Sequence, residues 1–160
     1  MTVTYEKIAT NTLGSSQSSV TFSSITSSYT DLVIVIAGTS SSSGELYMRF
    51  NSDSGSNYSF MQFYGQGGGA IGTDIRNNQT QGRIGSIRTV ANAVICNIFN
   101  YANTTTFKTS TSRDGTGSVI TNTFTNLWRS TSAINAIEFF PPSGTFSSGT
   151  VFTIYGIKAE

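Results

Sequence analysis

"DLVIVIAGT", Asp31 to Thr39, has six apolar residues in a row behind one aspartate, five of them Leu, Val or Ile and four of those β-branched. The run is far short of the ~20 residues that span a bilayer. It is also too short and too β-branched for a core helix, so it reads as a buried strand with both faces covered. A second stretch supports it. In "GTVFTIYGIK", Gly149 to Lys158, Val151, Thr153, Tyr155 and Ile157 alternate with Phe152, Ile154 and Gly156, so both faces are largely apolar. This segment is expected inside a sheet as another central strand, and its deletion is expected to unfold the chain.

Working outward, the rest of the chain shows period-two or short apolar segments separated by Gly, Ser and Asn clusters, with no capped helical pattern. "TYEKIAT" and "SVTFSSI" open the series. "ELYMRFN" alternates Leu46, Met48 and Phe50 against Tyr47, Arg49 and Asn51. "NYSFMQFYG", "NAVICNIFNY", "AINAIEFF" and a pair of strands around an Asp114-Gly115 turn follow. The stretch "GQGGGAIGTDIRNNQTQG" (65–82) reads as the longest irregular loop, shaped for a partner. Eight to ten short antiparallel strands without a helix of consequence imply an all-β, jelly-roll-like sandwich, and 160 residues suit one domain.

Composition narrows the function classes. Charged residues are 11% of the chain and the formal net charge is +1. Arg76, Arg83 and Arg88 form the densest basic group, without any Lys/Arg run. Capture of nucleic acid needs a basic stripe, so it is not expected, nor is a membrane partner. Twenty-five serines and 24 threonines solubilise the surface with hydroxyls, while 11 Phe, 7 Tyr and one Trp argue against disorder. The opening "MTVTYEKIAT" lacks a basic segment followed by an apolar one, so no secretory signal is expected. Cys96 has no partner for a disulfide and falls in a core strand, where a thiol acts as a small hydrophobe. Asn57, Asn78 and Asn103 head sequons of the kind a Ser/Thr-rich chain contains by chance.

Catalytic signatures are sparse. There is no histidine, which removes the Ser-His-Asp and Cys-His arrangements and the common zinc ligand sets. Gly65, Gly67 and Ala70 match G-x-G-x-x-A, yet neither a helix nor an acidic residue ~20 positions on follows, so no dinucleotide or other cofactor is expected. Asn51, Asp53, Gly55 and Asn57 alternate as in the first half of a calcium loop; an Asx-rich turn explains the same residues, leaving Asn51, Asp53 and Asn57 as a weak calcium candidate. Glu45, Asp53, Asp74, Asp114 and Glu138 are scattered singly, which does not point to a glycosidase pair. Tyr47, Tyr58, Tyr64, Tyr101 and Trp128 are candidates to stack on sugar rings or anchor an interface, against the plainer reading that each is core.

Five stretches carry a resemblance: "YEKIAT", Phe50 to Ser59, "NYANTTTFK", "LWRSTSAINAIEF" and "GTVFTIYGIK". Together they resemble a recurring type of bacteriophage virion protein, small jelly-roll-like structural proteins of tailed phages that decorate the head or belong to the tail. The resemblance rests on turn-and-strand patterns and carries over no functional residue. It implies a protein made in the bacterial cytoplasm and built into the virion, without catalysis, as a homo-oligomer for which a trimer is the natural expectation. A cement protein would clamp the major capsid protein, with Gly67, Gly68, Gly69, Arg76, Asn77 and Asn78 as contact candidates. The alternative is a tail-fibre or tail-tip adhesin for host-surface glycan.

Overall fold

Inward-facing apolar residues at every second position build two antiparallel sheets in the computed structural model, which describes residues 5–116 and 120–158. In chain order the strands are β1 (Tyr5–Thr12), β2 (Val20–Phe22), β3 (Asp31–Gly38), β4 (Gly44–Phe50), β5 (Tyr58–Gln66) and β6 (Ala70–Gln79). They continue with β7 (Gly82–Ile87), β8 (Asn92–Phe99), β9 (Lys108–Thr116), β10 (Ile120–Trp128), β11 (Ile137–Phe140) and β12 (Val151–Ile157). Eight form one sheet in the order β1-β12-β3-β8-β9-β10-β5-β6, and four form the other, β2-β11-β4-β7. Leu32, Ile34, Ile36, Val94, Cys96, Ile98, Phe152 and Ile154 meet Leu46, Met48, Phe50, Ile84, Ile137 and Phe139 in one buried cluster. The fold is a jelly-roll-like β-sandwich, all-β as the alternation implies. Among the described residues no helix is long and apolar enough to cross a membrane.

β12 lies between β1 and β3, so the segment sits inside the sheet as its pattern requires. Phe152 is the hinge of its packing. Its ring is 5.9 Å from Phe139 of the opposite sheet and 4.9 Å, edge-on, from Phe146. Phe146 is itself tied by backbone bridges to Gln17 and Ser40.

Four expectations need correction. The described residues form twelve strands rather than eight to ten, because the Gly-rich middle contributes β6 and the stretch after it β7, and both join a ladder. The 65–82 stretch is no irregular loop: β5 and β6 make a hairpin whose tip is Gly67–Gly69, closed by Gly69 N–H to Gln66 O at 3.1 Å. Gly68 and Gly69 have φ of +95° and +88°, which is why glycine stands there. Asp114 and Gly115 do not form a turn. They pair within β9, Asp114 opposite Val94 on one side and Asn122 on the other, and the connection at 117–119 lies outside the described residues. Finally, β3 and β12 are not covered on both faces. On the outer face Val33 and Thr153 are buried, but Val35, Val151, Tyr155 and Ile157 are only half-buried and Ala37 is exposed; the second sheet covers the inner side alone.

The core is chemically lopsided. On the β12-β3-β8 side it is apolar, whereas the inward positions of β9 are Lys108, Ser110, Ser112 and Asp114, all at most 6% exposed. Lys108 Nζ donates to Thr106 O (2.8 Å) and Thr131 O (3.2 Å), and desolvation lowers its pKa. This polar half positions the site described next.

Candidate functional site: a polar cleft under the edge strand β7

β7 is the edge strand of the smaller sheet and packs against β9 and β10. Beyond it the inner face of β10, β5 and β6 opens into a cleft of about 430 Å³, lined by Gln62, Tyr64, Thr73, Asp74, Arg83, Ser86, Arg88, Ile120 and Asn122. The register explains the company. Gly72, Tyr64, Asn122, Asp114 and Val94 stand opposite one another on five successive strands, β6, β5, β10, β9 and β8. Residues so paired share one face of the sheet.

Asn126 holds the edge of β7. Its Oδ1 accepts from Arg83 N–H at 2.9 Å and its Nδ2 donates to Arg83 O at 3.0 Å, replacing the strand partner β7 lacks at that edge. Arg83 then reaches over the Phe124 ring, 5.3 Å from its centroid, to Asp74 (3.7 Å) and Glu45 (3.4 Å). Asp74 also holds Arg76 at 2.8 Å. Deeper in, Asp114 Oδ2 accepts from Ser86 N–H (2.9 Å), Asn92 Nδ2 donates to Ser86 O (2.7 Å), and Gln62 Nε2 donates to Asn122 Oδ1 (2.7 Å).

What remains unmatched matters more. Five buried side-chain atoms in and beside this cleft have no hydrogen-bond partner: Arg83 Nε, Arg88 Nε, Asn92 Oδ1, Asp114 Oδ1 and Asn122 Nδ2. Folded proteins satisfy nearly all such groups, because an orphaned buried polar atom costs about 1–3 kcal/mol. Burial raises the Asp114 pKa, against the opposing pull of the Asn122 amide, which faces it short of hydrogen-bond geometry, the Ser86 N–H and Arg88. Asn122 Nδ2 and Asp114 Oδ1 face each other, and Arg83 Nε, Arg88 Nε and Asn92 Oδ1 are unmet besides; such a mix of donors and acceptors suits a ligand whose groups both give and take hydrogen bonds, as hydroxyls do.

The residues expected from the sequence lie elsewhere for the most part. Asp53 accepts from Gly55 N–H (2.8 Å), from Asn57 Nδ2 (3.2 and 3.0 Å) and from Trp128 Nε1 (2.7 Å). Burial alone raises its pKa, but the bonds from Trp128, Asn57 and Gly55 outweigh that and lower it. Asn51 Oδ1 accepts from the N–H groups of Asn135 and Ala136 while its Nδ2 donates to Ala133 O. N–H donors occupy Asn51 Oδ1 and both Asp53 carboxylate oxygens, which a calcium ion would need; Asn51 staples the 133–136 segment, and Asp53 and Asn57 close a turn against Trp128. No cluster of three or more His, Cys, Asp or Glu suited to a metal occurs among the described residues.

The six partner-contact candidates fall at opposite ends of the edge strand β6. Gly67, Gly68 and Gly69 form the exposed tip; Arg76, Asn77 and Asn78 mark a bulge, where Asn78 Oδ1 accepts from Arg129 Nη2 at 3.0 Å. Glu138 pairs with Arg49 at 2.9 Å, away from the cleft. Of the five aromatic candidates, Tyr58, Tyr101 and Trp128 are core, and Tyr47 packs beside Phe140 at 5.9 Å. Tyr64 alone lines the cleft. Sequence reasoning missed Gln62, Asn92, Asn122 and Asn126. The signal was present in "ITNTFTNLW", where Asn122 and Asn126 share parity with Phe124 and Trp128 and so had to point inward with them.

No protein-family model and no curated protein matches the chain. Among solved structures, it is similar to an exo-inulinase from Aspergillus awamori at 13% identity and a TM-score of 0.46; the match takes in 96% of this chain but only 29% of the inulinase. It is similar to galectin LEC-6 of Caenorhabditis elegans at 9% identity and 0.40, over 94% and 96% of the two chains. A variant of alginate lyase Aly36B aligns at 9% and 0.33, over 93% and 80%. Enzymes and a lectin thus stand side by side, and likeness at this level distinguishes no activity.

Proposed function

We propose that this chain is a non-catalytic surface module of a bacteriophage virion that binds a host glycan in the cleft under β7. One observation carries the reading: five buried, unpartnered donors and acceptors in and beside a single cleft. A polyhydroxylated ligand that reaches these atoms turns that cost into binding energy, because they are already desolvated. Catalysis is not part of the reading, since Asp74 is held by two arginines and the chain has no histidine. The phage setting follows from the resemblance described above.

A glycan array probed with the wild-type protein, Asn122→Ala and Arg88→Ala tests this. Retention of one or more bacterial surface glycans by wild type, and its loss in both folded variants, is expected. No retained glycan from a panel of host-surface polysaccharides would overturn it. A second reading, a cement protein built as a homotrimer against the major capsid protein, has its own observation. Phe63, Ile71 and Ile75 are 48%, 87% and 63% exposed on the outer face of the β5–β6 hairpin. An exposed apolar patch of that kind marks a contact surface. Antibody labelling spread over the heads of intact virions supports the cement reading, and labelling at the tail supports the adhesin.

A further inference from the structure

Resting on the glycan reading, we infer that Tyr64 is the stacking platform of the cleft and Gly72 its seat, so that the ligand presents the flat C–H face of a pyranose ring. Tyr64 and Gly72 are direct partners across β5 and β6. A methyl group at Gly72 would lie 2.3 Å from the Cζ and Oη of Tyr64, which places the phenol ring directly on the glycine backbone. Any side chain at position 72 pushes the ring away. Gly72 has an ordinary β conformation and needs no glycine for its backbone, so the ring is what requires the missing Cβ.

Seating holds the ring on the β6 side of the cleft, across β5 from Asn122. Tyr64 is also the direct partner of Asn122, one strand spacing of about 4.8 Å away, and Asn122 has the unpartnered Nδ2. A sugar ring stacked on Tyr64 therefore carries its equatorial hydroxyls toward Asn122, and Arg88 and Arg83 line the same space. Aromatic rings bind sugars through the apolar face that the axial hydrogens make, and polar side chains read the rim. The cleft supplies both, on adjacent strands. A purely structural role, in which the ring only covers a glycine in an edge strand, is the competing account.

The test uses tetrasaccharides of neutral hexose, N-acetylhexosamine and hexuronate type as probes, with the intact chain and its Tyr64→Phe, Tyr64→Ala, Gly72→Ala and Asn122→Ala variants. Ligand-observed NMR gives the sign of ring-current shifts, and titration gives affinity. Wild type and Tyr64→Phe are expected to move sugar C–H resonances upfield. Tyr64→Ala and Gly72→Ala are expected to abolish those shifts and weaken binding about tenfold. If Tyr64→Ala binds like wild type while Asn122→Ala is weakened, the glycan reading stands and the platform falls. If Tyr64→Phe is as weak as Tyr64→Ala, the hydroxyl rather than the ring face is responsible, and the platform again falls. If wild type binds none of the probes and no glycan on the array, both fall together. Equal urea midpoints for the variants separate lost binding from lost fold.

Discussion

Replacing Phe152 by alanine puts the architecture to a quantitative test. The ring is wholly buried and touches Phe139 of the opposite sheet and Phe146 at the end of the sandwich. Phe-to-Ala changes in cores cost about 3–5 kcal/mol, from lost transfer energy and the cavity left behind. With two ring neighbours losing their contact, about 4 kcal/mol is expected here, out of the roughly 5–15 kcal/mol that a domain has in total. For a chain of this size that lowers Tm by about 8–16 °C. Trp128, the one tryptophan of the chain, is buried and stacked 6.3 Å from Tyr58, so its fluorescence reports urea unfolding. The midpoint should fall with the slope unchanged. Phe152→Leu, which keeps most of the volume, should lose less than half as much. A cycle with Phe146→Ala should return a coupling of about 0.5–1.5 kcal/mol. A loss under about 1 kcal/mol for Phe152→Ala, in the range of surface substitutions, would refute the placement of β12 as a core strand.

Trp128→Phe removes the 2.7 Å donor to Asp53 and should cost about 1–3 kcal/mol by urea melt. Because the Asp53 pKa is lowered by folding, its contribution is present above the ordinary carboxylate range and is lost as pH falls through the depressed value. The stability gap between wild type and Asp53→Asn should therefore narrow on acidification from pH 5 to pH 2. Asp114 works in the opposite sense: its pKa is raised, so the folded state holds a proton that the unfolded chain has released. Stability should fall as pH rises from about 4 through the raised value, and Asp114→Asn should remove that slope. Gly156→Ala would bring a Cβ to 2.3 Å from Cγ of Tyr29, and should cost about 1–3 kcal/mol, most of it relieved in a Tyr29→Ala background.

The chain by itself determined the class of fold. Runs such as Asp31–Thr39 and Val151–Ile157 are legible because burial selects apolar residues, and the period of that selection is a property of the strand. The same logic located Met48, Phe50 and Cys96 in the core. It failed where burial selected polar residues instead. β9 has Lys108, Ser110, Ser112 and Asp114 on its inner face and Thr109, Thr111 and Arg113 on its outer one, so no contrast marks which side is inside. The Asp114-Gly115 pair read as a turn because a dipeptide's local preference is all that one dimension shows, and the ladder with β8 and β10 overrode it. Gly67–Gly69 read as part of a loop for the same reason, although the positive φ values of Gly68 and Gly69 make a tight hairpin tip. The cleft was out of reach altogether. Gly72, Tyr64, Asn122 and Asp114 are spread over the sequence from 64 to 122 and meet only through the register of four strands. Alternation tells which residues share a face of one strand, but which strands lie side by side is decided by the packing of the whole sandwich.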